Sequence, residues 1–285
     1  MSLVLRVACP DDAAPCGDIC YRAFTTISEA HNFPPDFPGP EVAVGLLAML
    51  VSHPGIYGVV AELDGRIVGS NFIDERSTIP GIGPITVDPA VQNRSTGRRL
   101  MEHVLERAAS RGAPGVRLVQ TAFHNRSLSL YTKLGFDARE PLSVMQGPAL
   151  GIRIPGHVVR AATEADVPGC NTLCRRVHGH DRAGEVADAR GQGGLHVVEH
   201  DGRISGYTTG LDFFGHAVAE TNEDLRALIG AAPAFGGPGF LLPTRNGELF
   251  RWCLAHGLRV VEPMTLMSIG LYNEPAGAFL PSILY

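Results

Sequence analysis

The sequence predicts an α/β (α+β) protein that contains two copies of one fold. Three groups of residues recur in the same order along its 285 residues. Arg, Ala, Asp, Cys, Cys and Arg at positions 6, 8, 12, 16, 20 and 22 return at 160, 162, 166, 170, 174 and 176. Asp-Gly-Arg-Ile-x-Gly occupies 64–69 and 201–206, and Gly-x4-Glu-Pro-x3-Met occupies 135–145 and 257–267. Ordered repeats of this kind indicate duplication of one structural unit.

The two predicted domains span residues 1–148 and 156–285. Gly and Pro cluster in the segment GPALGIRIPG at 147–156, and such clusters are typical of loops and linkers. The chain also exceeds the usual size of a single domain. The offset between the repeats shrinks along the chain, so the second copy has lost residues.

The first copy alternates strands and helices. Asp64-Gly65 between two apolar runs is the dipeptide that tight hairpin turns prefer. Residues 25–41, rich in Pro and aromatic side chains, are expected to form an irregular loop or short helices. In chain order we predict strand 3–8, helix 10–24, helix 42–51, strands 57–63 and 66–73, strand 81–88, a helix after Gly97, strand 116–121, helix 125–134 and strand 142–146.

Composition excludes several classes of protein. A net charge of −5 argues against nucleic acid as an electrostatic partner. No apolar run is long enough to span a bilayer, so no membrane partner is expected. The N-terminal residues lack the basic and apolar regions of a secretory signal, and the six cysteines include no Cys-x-x-Cys pair. These features predict a cytoplasmic protein with free thiols.

A strand, a short polar loop and a helix start follow one another in residues 81–99. The first turn of a helix has N–H groups without intrahelical partners, and the helix dipole adds positive charge there. Small loop residues let a phosphate approach these groups, and three arginines supply further charge. The sequence therefore predicts a pyrophosphate site at the loop residues Gln92, Asn93, Arg94, Ser95, Thr96 and Gly97, next to Arg98 and Arg99.

This loop resembles the acetyl-CoA loop of GNAT-type N-acetyltransferases, Gln/Arg-x-x-Gly-x-Gly/Ala. Ser95 stands where the family has its first glycine, which predicts either a different loop path or a bond from Ser95 Oγ to the phosphate. Downstream, Asn125, Tyr131 and the Gly135-Phe136 pair resemble the GNAT segment in which Asn lies beside pantetheine and Tyr points at the thioester sulfur. Asn125 is also expected to cap this helix. Together the segments identify a tandem GNAT protein, each copy a mixed, mainly antiparallel sheet flanked by helices.

The resemblance implies an N-acetyltransferase that uses acetyl-CoA as acyl donor, with a primary amine of a small molecule as acceptor. Strand 81–88 would diverge from strand 116–121, and N–H groups near Ile85 and Val87 would hold pantetheine and the oxyanion. The amine would attack the thioester directly, with Tyr131 as the general acid. The implied cofactor residues are Ile85, Val87, Gln92, Asn93, Arg94, Ser95, Thr96, Gly97, Arg98, Asn125 and Tyr131.

No motif identifies the general base. Asp74 and Glu75 end the strand that precedes the loop, and Glu75 is the predicted base. His124 and the C-terminal carboxylate of Tyr285 are alternatives. The acidic net charge favours a cationic acceptor. Two other functions stay open, a CoA-responsive regulatory protein without turnover and a protein or peptide N-acetyltransferase, and the chain is expected to be a monomer or a homodimer.

The second copy lacks the phosphate loop. Its corresponding segment, 219–224, carries three acidic residues that would repel a pyrophosphate. Cys253 stands where the first copy has Tyr131, so we predict one CoA site and a structural, substrate-shaping second copy. No metal is expected. The string His196-x-x-Glu199-His200 would need a helix to bind zinc, and here it matches a hairpin strand.

Overall fold

A computed structural model describes residues 3–92 and 95–284. Eight helices and fourteen strands are described in these ranges. The helices are α1 (Ala13–Ala30), α2 (Pro40–Ser52), α3 (Thr96–Ser110), α4 (Asn125–Lys133), α5 (Val167–His178), α6 (Ala183–Gly191), α7 (Asn222–Ala231) and α8 (Gly247–Ala255). The strands are β1 (Leu3–Val7), β2 (Ile56–Leu63), β3 (Arg66–Asp74), β4 (Gly81–Ile82), β5 (Thr86–Val87), β6 (Gly115–Thr121), β7 (Asp137–Gln146), β8 (His157–Ala161), β9 (His196–His200), β10 (Arg203–Thr208), β11 (Ala217–Ala219), β12 (Phe240–Pro243), β13 (Arg259–Gly270) and β14 (Ala278–Leu280).

Most predicted elements of the first copy are present. The β2–β3 hairpin turns at Asp64 and Gly65, whose φ angles of 51° and 79° are left-handed, as a type I′ turn requires. The helix predicted to end at residue 24 instead continues to Ala30, because residues 25–30 contain no Pro or Gly. The irregular segment is therefore only residues 31–39.

The predicted strand 81–88 is interrupted. Gly83 and Pro84, joined by a cis peptide bond, separate β4 from β5. Proline has no N–H for the strand ladder, so it breaks the run that the apolar pattern suggests. Conversely, β7 begins at Asp137 and not at Leu142, because β13 pairs with its N-terminal part from Asp137 to Pro141.

The internal repeat has a structural counterpart in two matching ion-pair groups. Arg6 donates to Asp12 at 2.7 Å and to Glu62 at 2.8 Å. In the second copy, Arg160 donates to Asp166 at 2.7 Å and, through Nε, to Glu199 at 3.0 Å. Each group ties the first strand of a copy to the start of its first helix and to the hairpin.

Within the described residues, the strands form sheets of nine and five. The larger has the order β1-β2-β3-β4-β6-β13-β7-β12, with β5 paired to β3. The smaller has the order β14-β11-β10-β9-β8. Only the β4–β6 pair is parallel among these strands, so the predicted mixed, mainly antiparallel architecture is confirmed.

The two copies exchange one strand each. β13 of the second half lies between β6 and β7 of the first, and β7 pairs in turn with β12. Because β7 and β13 carry the repeated Glu-Pro-x3-Met, they are equivalent strands, each placed against the other copy. An irregular segment at 147–156 joins β7 to β8. The division into domains 1–148 and 156–285 stays a prediction.

Two features of composition can be compared with the fold. All six cysteines are unbridged, and five of them are buried. Among the described residues, no helix combines the length and the apolar character needed to cross a bilayer.

Candidate active site

The N-terminus of α3 is open. Its N-cap residue, Ser95, has a φ of 61° and makes no side-chain capping hydrogen bond. As far as residues 3–92 and 95–284 are concerned, the first-turn N–H groups of α3 therefore remain available for a ligand. Ser95 adopts the left-handed conformation that glycine prefers, so the loop keeps a glycine-like path at this position.

The predicted divergence of two strands is present beside this helix. β4 pairs with β6 at Gly81 and Arg117, whereas β5 pairs only with β3 among the described residues. Asp88 donates its N–H to Val68 of β3 at 2.8 Å. Because N–H directions alternate along a strand, the N–H groups of Val87 and Ile85 point away from β3, into the cleft.

This cleft encloses about 500 Å³. The predicted cofactor residues Ile85, Val87, Gln92, Ser95, Thr96, Gly97, Arg98 and Tyr131 all line it. Asn93 and Arg94 lie outside the described residues. Asn125 lines neither this cleft nor its neighbour, and it does not cap α4. His124 is the N-cap, because its Nδ1 accepts the N–H of Ser127 at 3.4 Å.

A larger cavity of about 970 Å³ adjoins the cleft. Its walls come from both halves of the chain, and sequence reasoning missed most of them because they lie far apart in sequence. The first half contributes residues 35–38 and α2, and the second half contributes Phe213, Pro238 and Met264. The C-terminal segment also reaches it, with Ile283 and Leu284 in the lining. Tyr285 lies outside the described residues.

The two spaces differ in charge. The described lining of the smaller cleft includes Arg98, Arg126 and Lys133 and no acidic residue. The described lining of the larger cavity includes Asp36 and Asp212 and neither Lys nor Arg. The first therefore suits a polyanion, and the second suits a cation with an apolar body.

Tyr131 lines both spaces, at the point where they meet. It projects from α4, and its side chain packs edge to face on Phe136, with ring centroids 6.0 Å apart. Burial raises the pKa of Tyr131 well above its usual value, so its phenol stays protonated at neutral pH. A protonated hydroxyl at this junction can donate a proton to a group that spans the two spaces.

His124 lies at the same junction. Burial, with a smaller effect of the Arg126 charge, lowers the pKa of His124, so the imidazole is neutral. Since its Nδ1 accepts the Ser127 N–H, the neutral ring carries its proton on Nε2. In this tautomer His124 is a hydrogen-bond donor, which does not suit a general base.

The structure does not bring Asp74 or Glu75 to either space. Glu75 accepts two hydrogen bonds from Arg107 of α3, at 2.7 and 2.8 Å. Asp74 is buried and paired with Arg76, which donates to it through Nε at 2.9 Å. Both carboxylates are held by arginines outside the cavity lining, so their positions do not support the predicted role of Glu75 as base.

Comparison with known proteins relates part of this chain to a known family. Residues 24–136 match the model of the acetyltransferase (GNAT) family. They include α3, α4, Tyr131 and the strands that diverge at the cleft. This segment is therefore similar to a GNAT acetyltransferase domain, and the similarity supports acetyl transfer as its general reaction class. No curated protein matched the sequence significantly.

The whole chain has the fold of larger GNAT proteins. It is 19% identical to a putative acetyltransferase from Pyrococcus horikoshii, with a TM-score of 0.71 over 97% of this chain and 94% of that one. It is 15% identical to a GCN5-related N-acetyltransferase from Sphaerobacter thermophilus, with a TM-score of 0.60 over 95% of this chain and 96% of that one. It is also 15% identical to a tandem GNAT protein from the clavulanic acid biosynthesis pathway, with a TM-score of 0.56 over 99% of this chain and 100% of that one. At these identities the likeness concerns the fold.

The second GNAT-like copy closes the helix start that the first leaves open. Thr221 caps α7, and the carboxylate of Asp224 accepts the Thr221 N–H at 3.0 Å. Glu220, beside this cap, accepts hydrogen bonds from Arg203 at 2.6 Å and is paired with Arg176 at 2.8 Å. The α7 start thus carries its own carboxylates, which supports the prediction that the second copy holds no pyrophosphate.

The string His196-x-x-Glu199-His200 lies on β9, a strand, as predicted. His200 does approach His157 and Asp224, and the three potential ligand atoms lie within 4.8 Å of one another. However, the two rings stack with centroids 4.3 Å apart, whereas an ion lies close to the plane of each imidazole that binds it. Asp224 is also engaged in the α7 cap. The absence of a resident metal stays a prediction.

Proposed function

We propose that the protein transfers the acetyl group of acetyl-CoA to the amine of a small, cationic acceptor. The observation that carries this proposal is the position of Tyr131, where a cleft with basic residues meets a cavity with acidic residues. The cleft would hold the CoA diphosphate at the α3 start and the thioester beside β5. The cavity would hold the acceptor.

In this proposal, each step of the acetyl transfer has a group of the protein that would support it. The N–H groups of Ile85 and Val87 would bind the thioester carbonyl and the oxyanion that forms from it. The deprotonated amine attacks the carbonyl carbon, the carbon–sulfur bond breaks, and the thiolate takes the proton of Tyr131. The Tyr131 phenolate then takes the proton that the attacking nitrogen loses as the amide forms. The acceptor loses one proton before attack, since an alkyl amine is an ammonium at neutral pH.

The shape of the cavity favours a small molecule over a peptide. Its lining includes segments from both halves, among them the aromatic residues Phe37 of the first and Phe213 of the second. A peptide acceptor would need an open groove beside Tyr131. A regulatory protein without turnover would need no protonated hydroxyl at this junction. It is the second candidate because Ser95 departs from the glycine of the family loop and because no residue is assigned as the general base.

The test is an assay of thiol release. The protein is incubated with acetyl-CoA and a panel of alkylamines, polyamines, amino acids, aminoglycosides and short peptides. We expect thiol release with small amines that have an apolar body. Thermal stabilisation by CoA without thiol release for any acceptor would favour the regulatory function, and release with peptides alone would overturn the small-molecule acceptor.

A further inference from the structure

Two carboxyl groups lie in contact beside the larger cavity, and of the two only Asp36 lines it. Asp36, in the irregular segment between α1 and α2, lines the cavity, and its side chain is in hydrogen-bond contact with that of Glu262 on β13. Glu262 is 3% exposed, and its Oε2 is buried without a hydrogen-bond partner. Two carboxylates cannot both stay charged and buried in contact, so the pair has to hold a proton or a cation.

The internal repeat shows that Glu262 lacks the basic partner that its equivalent has. Its equivalent in the first copy, Glu140, is paired with Arg245, which donates to it through Nε at 3.0 and 3.1 Å. Counting back by the same 122 positions that separate Glu140 from Glu262, Arg245 corresponds to Phe123. No basic residue among residues 3–92 and 95–284 is paired with Asp36 or Glu262. The charge of Glu140 is thus balanced by Arg245, whereas the charge of Glu262 is balanced by no basic side chain among the described residues.

The surroundings keep the pair in place. Phe123 stacks on Phe33 with ring centroids 4.0 Å apart and planes 4° from parallel, which fixes the segment that carries Asp36. On β13, the pairing with β7 shifts register between Val260 and Pro263, and such bulges re-aim side chains near functional sites. Met264, two residues after Glu262, lines the same cavity.

We propose that Asp36 and Glu262 form a cation-binding subsite that takes the ammonium group of the acceptor. This proposal rests on the proposed function, because it names the acceptor class for the same cavity. An ammonium group in the cavity replaces the proton that the pair otherwise shares. It donates to Asp36, which lines the cavity, and the buried carboxylate of Glu262 beside Asp36 adds a second negative charge. The remaining lining is largely apolar, so the ligand is an amine with a hydrocarbon or aromatic body.

The test measures amine binding without acetyl-CoA. The full chain is titrated calorimetrically with 2-phenylethylamine and hexylamine, and with the matched alcohols 2-phenylethanol and 1-hexanol. We expect wild type to prefer amine to alcohol, and Glu262→Gln to reduce that preference about tenfold or more, as expected for loss of a buried negative charge near the ammonium group. Asp36→Asn, on a segment outside the sheets, should act in the same direction.

Glu140→Gln is the matched control, since Glu140 is the equivalent residue with its own arginine, and it should leave the preference unchanged. Equal binding of amines and alcohols by wild type, or an unchanged preference in both Glu262→Gln and Asp36→Asn, would overturn the subsite. Thiol release is measured separately. Amine binding without thiol release contradicts the proposed function alone, and thiol release with an unchanged preference contradicts the subsite alone.

Discussion

Thr121 of the first half lies directly opposite Met264 of the second half in the large sheet. Both side chains line the larger cavity. The cavity is therefore completed only when β13 of the second copy pairs with β6 of the first. This exchange explains how a copy without a phosphate loop can still contribute to the site.

Tyr131→Phe should lower kcat by about 10²-fold and leave CoA affinity within about twofold, because the hydroxyl acts on the leaving thiolate and not on the nucleotide. Steady-state kinetics and CoA titration measure both. Tyr57→Phe serves as the control, since the Tyr57 hydroxyl is bonded to His103 at 2.9 Å and lines neither space. Full activity of Tyr131→Phe would remove the general-acid role.

Gly97→Glu should abolish CoA binding, because a carboxylate in the first turn of α3 would occupy the position of the diphosphate. Gly97→Ala is the matched control. A Cβ at this position would be 3.6 Å from Leu130 and 3.7 Å from Val87, which is ordinary contact, so this variant should keep measurable binding. Tight CoA binding by Gly97→Glu would contradict the placement of the diphosphate.

Ser95→Gly should stabilise the protein slightly. Ser95 has a φ of 61°, and a left-handed conformation costs a non-glycine residue about 1 kcal/mol, part of which is offset by the greater freedom of glycine in the unfolded chain. Denaturant unfolding should show a gain below about 1 kcal/mol, with CoA affinity kept. A large loss of CoA affinity would instead indicate that Ser95 Oγ bonds the phosphate.

Glu75→Gln should leave kcat within about twofold of wild type, because a carboxylate paired with Arg107 outside the cavity lining is not available as a base. The cost in unfolding free energy should be about 1 kcal/mol or less, as for other partly exposed ion pairs. The pH profile of kcat is the decisive measurement. Loss of its acidic limb in Glu75→Gln, with unchanged stability, would restore Glu75 as the base.

The ligand-free protein should become less stable as the pH rises from about 5 to about 8. Burial, reinforced by the neighbouring Asp36, raises the pKa of Glu262 above its ordinary value. The folded state thus holds its proton to higher pH than the unfolded chain. This contribution is complete below the ordinary pKa and is lost progressively as the pH rises to the folded pKa of about 8. Chemical unfolding at several pH values should show a decline on the order of 1 kcal/mol. A decline that persists in Glu262→Gln would have another origin.

The sequence determined the local parts of this protein. The duplication, the hairpin at Asp64-Gly65, the loop before α3 and the helix that carries Tyr131 depend on residues close together in the chain, so their patterns could be recognised directly. The early end assigned to α1, the unbroken strand at 81–88 and Asn125 as a cap were wrong. Residues 25–30 contain no helix breaker, Pro84 interrupts the strand, and the neighbouring His124 takes the cap position.

Only the tertiary structure decided which distant groups meet. The two equivalent strands β7 and β13 carry nearly the same pattern, and each could have paired within its own copy. Pairing across the copies depends on the packing of the whole sheet, which no local pattern encodes. The same packing places Glu75 against Arg107 and brings Asp36 to Glu262, a contact between residues 226 positions apart. The charge of the larger cavity was therefore set by the fold, whereas the loop before α3 could be recognised from the chain alone.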